Sequence, residues 1–203
     1  GLLVAGAAAG PVDFFEVSAS DAGAGDQFGW AVDVNGTLAV IGSCLDDDLG
    51  QDAGAAYLFD LATMTELGKF LPATGNAFDG VGCSVALNSA FVLVGADGVD
   101  GVDMNGDSAP NEGAAYVFNP GMPGNAGVRV SPIGLSGGDG FGFSVAVADD
   151  TFPNFGIVGA PFDDGIADDD ADCGAAYLVN LPTGGSGVTF RADDQFRGDL
   201  YGY

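Results

Sequence analysis

The sequence predicts an all-β propeller built from four-stranded antiparallel blades of about 50–60 residues. Three observations carry that prediction. One string recurs along the chain: GDQFGWAV at 25–32, FDGVGCSVAL at 78–87, GDGFGFSVAV at 138–147 and GDLYGY at 198–203. Two further strings follow it in constant order. An apolar run ending in or near Gly (38–42, 92–96, 156–161) precedes a Gly-Ala-Ala-Tyr run (54–59, 113–118, 174–179). Finally, Gly is 36 of 203 residues without a period of three, and the 47% of hydrophobic residues fall in short runs. That composition excludes collagen and disorder and fits short strands with tight turns.

Each blade has the same parts in order. The Phe-Gly segment opens a strand of alternating residues. The apolar run is the second strand and the GAAY run the third. A less regular stretch (65–70, 128–133, 188–192) supplies the fourth. All four are rich in β-branched or aromatic residues and are bounded by Gly, Asn, Asp or Pro. No window keeps a helical period. Small residues are needed where strands crowd the central channel, which gives Gly29, Gly82 and Gly142 their place. Phe28, Phe141, Tyr57, Tyr116 and Tyr177 are expected to fill the wedge between blades as core. Asn35-Gly36 reads as a two-residue hairpin turn with both residues at positive φ. Asn35-Gly36-Thr37 is also a glycosylation sequon.

The expected units are a partial blade at 1–20, blades at 21–75, 76–135 and 136–193, and the start of a further blade at 194–203. The opening nine residues look like the end of a signal peptide but have no initiator Met or basic region. They align better with the repeat, residues 2–7 with the apolar run and 10–15 with GAAY. Two readings follow: a piece of about four blades from a longer propeller, or a closed four-bladed ring in which the last strand completes the first blade.

Net charge is −25, from four basic residues, 29 acidic ones and no His. Such a polyanion repels nucleic acid and anionic membranes and attracts divalent cations. No stretch reaches the roughly 20 apolar residues of a membrane helix. The expectation is therefore neither nucleic-acid binding nor membrane insertion. Of the three cysteines, none has metal-ligand spacing relative to another. Cys44 and Cys83 fall in neighbouring repeats and could pair; equally, Cys44, Cys83 and Cys173 read as three small buried or loop thiols.

The strings FG-x-S-V-A, V-G-A-P and G-A-A-Y-V-F, in that order, resemble the FG-GAP repeat. That repeat forms the blades of integrin α-subunit-like seven-bladed propellers and of many secreted bacterial and algal proteins. The resemblance implies an extracellular or cell-surface propeller used in binding and adhesion, often stabilised by calcium. In that family the calcium loop joins the FG strand to the next as D-x-[DN]-x-D-G-x-x-D. Here the corresponding connections at 33–37, 88–90 and 149–154 lack the pattern.

The acidic loops lie instead between the second and third strands. Asp103, Asn105 and Asp107 have D-x-N-x-D spacing, with Glu112 as the closing carboxylate, and are the best calcium candidate. Asp163, Asp164, Asp168 and Asp170 form a weaker one. A solvated acidic loop is the plain alternative for both. Arg197-Gly198-Asp199 spells an adhesion tripeptide, but its Gly-Asp belongs to the repeat. Without His there is no Ser or Cys triad. Carboxylates repeated in each blade do not resemble an active site made once per chain. The expected function is a non-enzymatic extracellular binding, adhesion or structural module with protein or glycan partners. The alternatives are a building block of a filament or surface layer that associates with neighbouring copies, or a scaffold for a catalytic domain outside this chain.

Overall fold

The computed structural model describes residues 15–102, 105–150, 154–164, 173–181 and 185–190, with backbone alone at 185–187. Residues 1–14 of the partial blade expected at 1–20, the further blade at 194–203 and Arg197-Gly198-Asp199 lie outside them. So, with them, does the choice between fragment and ring.

Among the described residues, three four-stranded antiparallel sheets follow one another in chain order. The first contains β1 (Phe28–Asn35), β2 (Leu38–Ser43), β3 (Ala55–Asp60) and β4 (Thr65–Phe70), in that spatial order. The second contains β5 (Ser84–Leu87) and β6 (Val92–Ala96). A small hairpin of β7 (Gly101–Val102) and β8 (Ser108–Ala109) comes next, before β9 (Ala114–Phe118) and β10 (Val128–Val130) complete the sheet. The third contains β11 (Ser144–Val147), β12 (Phe155–Ala160), β13 (Ala175–Asn180) and β14 (Gly185–Phe190). These are propeller blades. The described residues contain no helix long and apolar enough to cross a membrane.

The β1–β2 hairpin differs from expectation by one residue. Asn35 pairs with Leu38, so the two-residue loop is Gly36-Thr37, and only Gly36 has positive φ, at 60°. A single left-handed residue at the first loop position satisfies the strand twist as well as two do.

The strands β1, β5 and β11 lie side by side, as inner strands of adjacent blades do. Two apolar layers hold the blades together. Val40, Leu58 and Phe70 of the first blade meet Val85, Leu87 and Tyr116 of the second. On its other side the second blade sets Leu93, Val117 and Val130 against Phe141, Val158 and Tyr177 of the third. The predicted wedge aromatics are core: Tyr57, Tyr116, Phe141 and Tyr177 are buried, while Phe28 is half-buried against Tyr57 and Phe59.

The crowding that selects glycine occurs at the joints between blades. A Cβ on Gly42 would stand 1.9 Å from the Gly82 carbonyl oxygen, and one on Gly95 would stand 1.9 Å from that of Gly142. Gly82 and Gly142 are in turn pressed against the Ala55 and Ala114 carbonyls, at 2.1 Å from the same imaginary Cβ. The adjoining backbone is also bonded across each joint. Val81 N–H donates to Ala53 (2.9 Å), and Phe141 N–H to Glu112 (3.0 Å).

Candidate binding face

The recurring G-D-G-F-G string builds one end of the propeller. Its first, third and fifth residues all have left-handed φ. The values are 110°, 55° and 94° at Gly25, Gln27 and Gly29, then 69°, 66° and 88° at Phe78, Gly80 and Gly82. At Gly138, Gly140 and Gly142 they are 96°, 64° and 100°. Glycine suits all nine positions. Phe78 is the exception that costs most, a bulky residue where the other copies have Gly. Its ring is 59% exposed.

The Asp of the string closes the turn before it. Asp26, Asp79 and Asp139 accept the N–H of the residue three before, from Gly23 (2.6 Å), Asn76 (2.7 Å) and Ser136 (2.7 Å). Their carbonyls receive the loop after the second strand, through Leu45 (3.2 Å), Gly98 (3.2 Å) and Phe162 (3.4 Å). The acidic loops of successive blades therefore share one end of the molecule.

Much of their acidity is structural. Asp46 and Asp163 occupy the same repeat position and are buried beneath the loop. The Tyr57 hydroxyl lies 2.7 Å from Asp46 and 2.8 Å from Asp21, and Tyr177 donates to Asp163. In the second blade that position is Val99, and the polar group is Glu112. Lys69 and Arg129 sit directly across from Tyr57 and Tyr116 in their sheets. Lys69 Nζ bridges Asp46 (2.8 Å), Asp48 (2.7 Å) and Asp21 (3.0 Å), and these carboxylates hold its ammonium above the ordinary range against the opposing effect of burial. Burial, with the Asp46 and Asp21 carboxylates, pushes the Tyr57 phenol upward. Asp52 and Asn111 take left-handed φ of 54° and 53° two residues before the GAAY glycine, a conformation Asp and Asn tolerate.

Asp139 is the outlier. Burial, with the carboxylates of Asp163 and Asp164 alongside, pushes it up to about 7. Burial also raises Asp79 and Asp97.

A cleft runs across this end over all three blades. Phe78, Phe162, Asp52, Asp97 and Asn111 line it, with Cys44 and Cys83 at its base. Those two cysteines form a disulfide, with Cα atoms 4.7 Å apart, which fastens the first blade to the second. Cys173 is buried in the third blade. The cleft thus combines exposed aromatic rings, two carboxylates and an amide on a cross-linked base.

The predicted calcium residues are placed as follows. Asp103, Asp168 and Asp170 lie outside the described residues. Asn105 and Asp107 are on the turn between β7 and β8. Glu112 is buried; it accepts the Ser131 hydroxyl at 2.7 Å and faces Arg129 at 3.7 Å. That commitment does not suit a closing ligand. Asp163 is engaged by Tyr177, and Asp164 accepts the Ser136 hydroxyl at 3.1 Å. Among the described residues no three carboxylates or thiols are grouped as metal ligands. Asn35 is half-buried at the opposite end, where its side chain bonds Asp150. Phe78, Lys69 and Arg129 were not singled out by motif. Phe78 was visible as the copy that breaks the G-D-G rule.

The FG-GAP repeat profile matches residues 15–59 and 64–118. Among solved structures, a chain of Kuenenia stuttgartiensis hydrazine synthase superposes with a TM-score of 0.51 at 9% identity. The match covers 91% of this chain and 41% of that one. The computationally designed Ika4 protein superposes at 0.50 with 16% identity, covering 92% of this chain and 82% of Ika4. Both likenesses concern the fold alone. No curated protein matches the sequence.

Proposed function

Because the chain belongs to the FG-GAP repeat family, we propose that it is a non-enzymatic extracellular module that binds protein or glycan partners through its acidic loop end. The observation that carries this reading is Phe78. Its exposed ring sits in a strained backbone at the mouth of a cleft, where the repeat itself calls for glycine. Strain held at an exposed cleft residue is a signature of function, not of stability. Phe78 and Phe162 offer faces for a sugar ring or for the stem of a basic side chain. Asp52, Asp97 and Asn111 supply acceptors beside them. The net charge of −25 favours cationic partners and steers their approach. Among the described residues, Asp26, Asp79 and Asp139 close turns, Asp46 and Asp163 bind tyrosines, and Asp21 and Asp48 bind Lys69, which leaves the cleft acceptors as the groups offered to a partner.

Calcium belongs to the proposal as an ordering ion for the loops that carry Asp103, Asn105 and Asp107, with Glu112 left to Ser131 and Arg129. Calcium chloride titrated into the chelator-treated chain should then raise stability by about 2.7 kcal/mol at a hundredfold excess over Kd. A melting temperature indifferent to calcium and chelator would remove the ion from the account.

The binding reading is tested by probing glycan and extracellular-protein arrays with the wild-type chain and with Phe78→Ser and Phe162→Ser variants. Array members bound by wild type should be lost in both variants. Binding that survives both substitutions would place the binding surface elsewhere.

A further inference from the structure

The middle blade departs from the repeat around one cavity. Where the first and third blades set Asp46 and Asp163 against their tyrosines, it has Val99. Where they have Ala53 and Cys173, it has Glu112, which is 5% exposed. A carboxylate is thus buried at a place that the other blades fill with a small uncharged side chain. Such a charge is costly unless it is paired and hydrogen-bonded. Glu112 is bonded on one oxygen only. Oε1 accepts the Ser131 hydroxyl at 2.7 Å, and among the described residues no donor reaches Oε2. A Cβ on Gly101 would stand 1.9 Å from that oxygen, so the glycine leaves it room. Arg129 lies 3.7 Å from Oε1, beyond hydrogen-bonding distance, and its guanidinium donates to no described group.

Glu112 and Arg129 both line a cavity of about 570 Å³. Asp100 adds a second carboxylate to the lining, and Val102 and Ile133, 67% and 94% exposed, add aliphatic surface. The site therefore offers a fork of donors and a buried acceptor side by side, next to an apolar wall. A matching ligand carries an acceptor and a donor equally close together, as an α-amino acid does on one carbon. Charge narrows the choice. Two carboxylates and one guanidinium leave the site at −1, and the chain as a whole carries −25, so a further anion is repelled. A plain cation would face Arg129 without an acceptor for it. We infer that this cavity binds a free α-amino acid with an aliphatic side chain. The ligand carboxylate meets Arg129, its ammonium meets Glu112 and Asp100, and its side chain lies against Val102 and Ile133. The site is separate from the cleft at Phe78, and the inference rests on neither that cleft nor its partner.

The test is calorimetric titration of the full 203-residue chain with L-leucine, to about 10 mM. One saturable site is expected. L-leucinamide keeps only the ammonium and 4-methylpentanoate only the carboxylate, so each should bind at least about tenfold more weakly than L-leucine. Arg129→Gln and Glu112→Gln should each weaken L-leucine by about tenfold or more, with circular dichroism confirming the fold. Glu112→Gln keeps an acceptor for the Ser131 hydroxyl, and the two analogues probe the wild-type chain, so the outcome does not hang on a variant that folds. Phe78→Ser should leave the affinity unchanged. No saturable binding of L-leucine overturns the inference, as does either analogue binding as tightly as L-leucine. So does an affinity unchanged in folded Arg129→Gln or lost in Phe78→Ser. Glucuronate bound in preference to L-leucine would make the site one for sugar acids, which also overturns it.

Discussion

The two joints between described blades share one backbone device and differ in what surrounds it. In both, a glycine of the second strand abuts the FG glycine of the next blade, Gly42 on Gly82 and Gly95 on Gly142. Around the first joint, Cys44 and Cys83 form a covalent lock. At the corresponding positions of the second joint stand Asp97 and Phe143, and no such lock exists. There the Ser84 hydroxyl bonds the Gly142 carbonyl at 2.7 Å. Glycine therefore sets how close the blades approach, while the side chains beside it set how firmly each pair is held.

The comparison breaks most severely if the shared device is removed. Gly142→Ala drives a methyl group into the Ala114 carbonyl from a left-handed backbone. It should cost upward of about 4 kcal/mol, from overpacking plus the φ penalty. Chemical denaturation measures it, and a loss under 1 kcal/mol would mean that the joints do not depend on glycine. Removing the lock alone, by Cys44→Ser with Cys83→Ser, should cost about 3–4 kcal/mol for a loop of 39 residues. Hydrogen exchange should show the loss at the first joint, at Val81 and Gly82, with Phe141 and Gly142 little changed.

Lys69→Met sharpens the contrast between blades. It leaves Asp46 buried beside Tyr57 without its cation and should destabilise by about 2 kcal/mol, since one partner of a largely buried ion pair is lost. Arg129→Met should cost less, because that side chain is 42% exposed and 3.7 Å from Glu112.

A pH dependence is centred on Asp139 in the third blade, with smaller upward shifts at Asp79 and Asp97 in the second. Asp139 is held at about 7, above the unfolded carboxylate, so the fold favours its neutral form. That contribution is complete below pH of about 4 and is lost as pH rises through about 7. Asp139→Asn keeps the acceptor for the Ser136 N–H and should flatten the melting temperature between those limits. An unchanged slope would show that Asp139 ionises normally.

The blades were legible in the sequence because glycine spacing and aromatic positions report backbone geometry directly. Gly82, Gly142, Tyr57 and Tyr177 lie where the repeat placed them. The polar wiring was less legible. Asp46, Asp52, Asp163 and Asp26 look alike in the sequence, yet two bind a tyrosine, one adopts a left-handed backbone and one caps a turn. Only three-dimensional neighbours separate those tasks. Pairing of Cys44 with Cys83 needed the approach of two blades, which spacing alone does not give. The turn at Gly36-Thr37 slipped by one residue because the pairing of Asn35 with Leu38 sets the register.

Phe78→Gly is the most direct test of the binding reading, because it separates strain from fold. Glycine relieves a left-handed penalty of about 1–2 kcal/mol and gives back part of it as unfolded-chain entropy. The account predicts a variant that melts at or above wild type and no longer binds the glycan or protein array members that wild type binds. A variant that melts lower and binds as before would contradict it, and would return Phe78 to the core of the fold.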